Sequence, residues 1–187
     1  MRKFIGFSVL TAVTAWVTIT LTQSASAAVD PETAFIFNTL SFLMHGFLVM
    51  WMAAGFCMLE VGLVRSKNAS MQCAKNITLY SAAGLMYWLV GYNLMYLDVS
   101  GVIGSFAVWS GADDVITADG FTGDGTGYVA ASDWFFQMVF VAATASIVSG
   151  TVAERVKVFP FLIFTVFLTG FIYPIQGSWT WGEGWLD

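Results

Sequence analysis

Three aromatic side chains have the type and spacing to attract a cation. Phe136 and Phe140 stand four residues apart, so a helix puts both rings on one face, and Trp181 follows in a later aromatic run. The face of an aromatic ring attracts a cation by about 0.5 to 2 kcal/mol. Aromatic residues at a membrane interface also form a belt that binds nothing, and spacing alone leaves both readings open. Four charges near two apolar-to-polar boundaries, Glu60, Arg65, Glu154 and Arg155, read as structural anchors that snorkel or pair locally. His45, the single histidine, lies within an apolar run, where an ionisable residue marks function by default.

The elements that must position these residues follow from composition. The 187 residues are 58% hydrophobic, 17% aromatic and only 10% charged, which is a membrane composition. Residues 4–29, 33–59, 76–97, 134–153 and 158–182 contain no Asp, Glu, Lys or Arg, and each is long enough to cross a bilayer. Strands of a barrel would alternate in segments of about ten residues, so the spans are helices. Residues 1–27 have a basic start, an apolar run and a small-residue close, the pattern of a signal peptide cleaved after Ala27 or retained as an anchor. Helices are predicted over 34–59, 77–97, 134–152 and 158–175.

Arg2, Lys3, Arg65, Lys67, Lys75, Arg155 and Lys157 fall on alternate sides of successive spans, which places those segments in the cytoplasm. The connection from Asp98 to Asp133 has six Asp and no Lys or Arg, so it faces outward, as do the start of the mature chain and Glu183. Ala142, Ser146 and Gly150, with Ala143, Ala145 and Ser149, give the third span a small face for close helix packing.

Several classes drop out. Seven Lys plus Arg against twelve Asp plus Glu leave no basic stripe for nucleic acid. Cys57 and Cys73 lack zinc-site spacing and read as unpaired thiols. Asp119 and Asp124 do not match an EF-hand, so no metal site is expected, and neither a phosphate loop nor a nucleophile elbow is present to suggest an enzyme or a cofactor.

Three segments carry a resemblance. They are Gly55-Phe56-Cys57-Met58-Leu59-Glu60-Val61-Gly62-Leu63-Val64-Arg65-Ser66-Lys67-Asn68-Ala69; Phe136-Gln137-Met138-Val139-Phe140 with Ser149-Gly150-Thr151-Val152-Ala153-Glu154-Arg155; and Tyr173-Pro174-Ile175 through Trp179-Thr180-Trp181-Gly182-Glu183-Gly184-Trp185-Leu186. In type and order they resemble the ammonium transporter family (Amt/Mep/Rh), from about Ala34 to the last residue.

The resemblance implies an all-α polytopic fold of eleven helices in two inverted repeats. The residues here are the first repeat only, four to five helices, as a fragment or as a truncated, nonconducting subunit. It implies an inner-membrane homotrimer that conducts ammonium or ammonia inward, with an ammonium-sensing domain of a signalling protein as the alternative. Trp181 and Phe140 match the family's outer recruitment site, and Phe136 and Phe140 its phenylalanine gate. The family's paired pore histidines lie beyond these residues. His45 matches neither and is assigned a buried hydrogen bond between helices, as is Asn38. A PII-type regulatory protein docks on many members, through a tail that is not in this sequence.

Overall fold

The computed structural model describes residues 30–111, 116–117, 120–121 and 127–187. The signal-peptide reading of 1–27 and the acidic positions 113, 114, 119 and 124 lie outside the described residues.

Helix α1, Pro31–Leu63, begins where the chemistry of a helix start is concentrated. The Asp30 carboxylate accepts from the Thr33 N–H, Pro31 needs no amide partner, and Glu32 suits the positive helix end. Its 33 residues span roughly 50 Å, more than the hydrocarbon thickness, so it tilts or projects. Helix α2 comprises Ala69–Met86, a π-helical turn Tyr87–Gly91 and Tyr92–Tyr96. Helix α3 is Ala130–Thr151. Helix α4 comprises Val158–Phe167, a second π-helical turn Leu168–Ile172 and Tyr173–Ser178.

Two helices begin or end well inside the charged segments that were expected to be loops. Helix α1 runs past Glu60, and α2 starts at Ala69, ahead of the apolar run at Ile77. The reason is that Glu60, Gln72, Lys75 and Asn76 are all buried and converge on one oxygen, Glu60 Oε2, so their polarity does not mark water. By length and composition α1, α3 and α4 are long and apolar enough to cross a membrane. Helix α2 falls outside that set.

The chain runs up and down, so α1 and α3 are parallel and α2 and α4 oppose them. One end of the bundle carries Arg65, Lys67, Arg155 and Lys157, and the other carries Asp30, Glu32, Asp98, Asp133, Glu183 and Asp187. We call these the basic and acidic ends. Helix α3 is central, packing on both α1 and α2, and its small residues Ala142, Ala143, Ala145, Ser146 and Ser149 are buried. The two π turns lie against each other. A Cβ on Gly91 would come within 2.6 Å of the Tyr87 ring and 3.1 Å of Pro174, so only glycine fits that crossing. Among the described residues, strand pairing is limited to Ile116–Thr117 with Gly120–Phe121 in the connection after α2.

Candidate functional site

At the acidic end an aromatic ladder descends between α1 and α3. Tyr128, just before α3, meets Phe42 of α1 edge-on at a centroid separation of 4.6 Å. Phe42 meets Phe136 at 5.2 Å, and Phe136 meets Phe140, one turn further into the bundle, at 5.1 Å. These edge-to-face separations are favourable for aromatic pairs. Gly46 makes the approach of α1 to α3 feasible, since a Cβ there would sit 2.6 Å from the Phe135 ring.

The ladder holds two of the three aromatic residues read from the sequence, Phe136 and Phe140, and adds Phe42 and Tyr128, which spacing could not pair because they belong to different elements. Trp181 is elsewhere: it follows the last turn of α4, 55% exposed, and its ring pairs with no other among the described residues. Its backbone N–H donates to Gly177 O at 2.9 Å. The neighbouring Trp179 and Trp185 rings pack at 5.7 Å, and the Trp179 indole N–H donates to Val102 O, anchoring the segment to the chain after α2.

Two expectations about α1 are corrected. His45 makes no buried bond between helices. It is exposed, and its Nδ1 lies 2.7 Å from the Ser41 carbonyl oxygen of its own helix and 3.3 Å from Ser41 Oγ. A four-residue spacing supplied a partner within the helix that an interhelical reading overlooked. Asn38 is also exposed, and donates to Gly127 O at 3.1 Å, in the segment before α3 and not in a helix. Asp133, read as part of the acidic loop, instead occupies the first turn of α3, 5% exposed, and accepts from the Tyr92 hydroxyl at 2.6 Å.

The charged anchors pair differently from the local reading. Arg65 does not turn back to Glu60. Its backbone N–H and Nε both donate to Glu154, at 3.0 and 3.1 Å, and Asn68 Nδ2 donates to the same carboxylate at 2.6 Å. Glu154 holds a left-handed φ of 61°, so these bonds fix a strained turn and join the loop after α1 to the loop after α3. Hydrogen bonds, first from Asn68 and then from Arg65, hold its carboxyl below the usual range.

Glu60 forms a second cluster, inside the bundle. Oε2 accepts from Gln72, from Asn76 Nδ2 at 2.8 Å and from Ser149 Oγ at 2.8 Å, with Lys75 Nζ at 3.9 Å. Lys75 also donates to Ser149 O at 3.1 Å and stands 5.0 Å over the Phe161 ring. One carboxylate thereby joins α1, α2 and α3. Gly150 lies directly against the cluster, where a Cβ would make ordinary van der Waals contact with Glu60 Oε1 at 3.4 Å.

Comparison with known proteins bears on the family and the fold. The profile of the Ammonium Transporter Family matches residues 40–187. The ammonium transporter Amt2 of Archaeoglobus fulgidus is 38% identical over 148 residues, covering 78% of this chain and 29% of its own length. Amt1 of Haloferax mediterranei is 36% identical over 150 residues, covering 80% of this chain and 27% of its own. A Synechocystis protein with an ammonium-transporter name is 39% identical over 166 residues, covering 89% of this chain and 36% of its own. A solved structure titled a sensor Amt protein superimposes with a TM-score of 0.66 at 31% identity, covering 80% of this chain and 36% of that one. The chain spans about a third of the length of these relatives. With a family profile over most of its residues, this chain belongs to the ammonium transporter family.

Proposed function

We propose that this chain is the first-repeat part of a transporter that moves ammonium or ammonia across a membrane. The observation that carries this is the continuous aromatic ladder Tyr128–Phe42–Phe136–Phe140, which leads from the acidic end into the bundle. The acidic surface raises the local concentration of a cation. Aromatic faces then replace part of its hydration, and each contributes about 0.5 to 2 kcal/mol. In this reading Trp181, exposed at that end, and Phe140 recruit the ion, and the edge-to-face pair Phe136–Phe140 gates the way inward. An ion costs several kcal/mol or more at the membrane centre, and loss of a proton near the gate removes most of that cost.

The alternation of basic and acidic ends supports an inner-membrane orientation with the basic end in the cytoplasm and the mature N-terminus outside. The strongly exposed apolar face of α1, including Trp51 at 75% and Met58 at 76%, fits burial against bilayer or further protein, consistent with a homotrimer. A PII-type protein meeting the basic face belongs to the same proposal. The test is growth of cells lacking their own ammonium uptake, with the complete gene product supplied. Growth at low ammonium is the expected result, and absence of growth with the protein present in the membrane overturns it.

The structural likeness to a sensor Amt protein favours a second reading, an ammonium-sensing membrane domain. A sensor binds ammonium and gives a signalling output without net uptake, so binding in the absence of flux selects it.

A further inference from the structure

A cavity of about 190 Å³ opens between α1 and α3, lined by Asn38, Ser41, Phe42, His45 and Phe136. It lies beside the upper half of the ladder, and its volume accommodates a small cation with attendant water. The hydrogen bonds of His45 fix the chemistry of this wall. A carbonyl oxygen only accepts, so the 2.7 Å contact to Ser41 O requires the proton on Nδ1. In the neutral imidazole the lone pair then resides on Nε2, and Nε2 has no partner among the described residues. The cavity wall therefore includes His45, which keeps one ring nitrogen as an acceptor, beside two phenyl rings.

That combination suits one class of ion. Ammonium carries four N–H donors and no acceptor, so it can donate to an imidazole lone pair while facing aromatic rings. Potassium has no hydrogen to donate, and hard metal cations favour shells of oxygen. We infer that His45 Nε2 is a hydrogen-bond acceptor for ammonium in the Phe42–Phe136 cavity, a binding contact separate from Trp181 and Phe140. This rests on the transport or sensing reading above, since either needs ammonium at the acidic end of the bundle.

The test uses the complete gene product. Initial rates of labelled methylammonium uptake are measured for wild type, His45→Leu, His45→Gln and Phe140→Ala at matched membrane levels. A hydrogen bond to a charged group predicts a KM about tenfold higher for His45→Leu, with kcat little changed. His45→Gln keeps an acceptor and recovers KM to within about threefold. A wild-type KM in His45→Leu alongside altered Phe140→Ala kinetics overturns the His45 contact and leaves the ladder standing. Wild type without uptake refutes transport instead.

A second measurement needs no variant. Acylation of His45 by diethyl pyrocarbonate, read by peptide mass, is predicted to slow at least about threefold in saturating ammonium and to be unaffected by potassium. Equal rates in both salts overturn the site, with or without transport.

Discussion

Replacing Glu60 by alanine removes the shared acceptor of three helices. Glu60 is 4% exposed, and its loss leaves Lys75 Nζ, itself in a side chain 7% exposed, with the Ser149 carbonyl at 3.1 Å and the Phe161 ring but no counter-charge among the described residues. Gln72, Asn76 and Ser149 Oγ lose their acceptor at the same time. Breaking a buried ion pair from one side costs about 3 to 5 kcal/mol, because the remaining charge is uncompensated. Removing both charges is far less costly, so Glu60→Ala with Lys75→Met should recover most of the loss, a coupling of about 2 kcal/mol or more. The assay is the thermal loss of monodisperse protein in detergent across wild type, the two single variants and the double variant. A Glu60→Ala cost under about 1 kcal/mol, or a double variant no more stable than Glu60→Ala, refutes the cluster as the tie between α1, α2 and α3.

Trp181→Leu removes an exposed indole face and should raise the KM for ammonium between about twofold and thirtyfold while membrane abundance holds; unchanged uptake kinetics count against the recruitment role. Glu154 has its carboxyl held down by Asn68 and Arg65, so the order it confers on the two basic loops is complete above the ordinary carboxyl value of 4.5. That order is lost as pH falls through the lower folded value. Limited proteolysis against pH should show this loss, and Glu154→Gln should flatten the profile. Within α2, Gly91→Ala drives a Cβ into Tyr87 and the Thr169 carbonyl and should destabilise by about 1 to 3 kcal/mol. Gly84→Ala meets only the flexible Met138 side chain, at 3.7 Å, and should be tolerated; equal melting of the two variants would contradict the packing at the π turns.

Much of the architecture was legible because a bilayer imposes a simple rule: runs without charge become spans, and their small residues turn toward neighbours. That rule places the centre of every helix and the buried face of α3. It fails where charges neutralise one another inside the protein. Glu60 and Lys75 look like the edges of water in sequence, yet they meet 15 positions apart and extend two helices past the apolar runs. Arg65 finds Glu154, 89 positions away, over the nearer Glu60, whose Oε2 is already taken by Gln72, Asn76 and Ser149. The candidate site divides in the same way. Phe136 and Phe140 share a helix, so their pairing is visible as a four-residue spacing. Phe42 and Tyr128 join them only because α1 and α3 run parallel, with Gly46 allowing close approach.

The most direct measurement of the central claim is ammonium flux into liposomes containing the purified complete gene product, with Phe140→Ala in parallel. Saturable flux in wild type whose kinetics change in Phe140→Ala is the predicted result. Saturable flux identical in the two proteins would contradict conduction past the aromatic ladder.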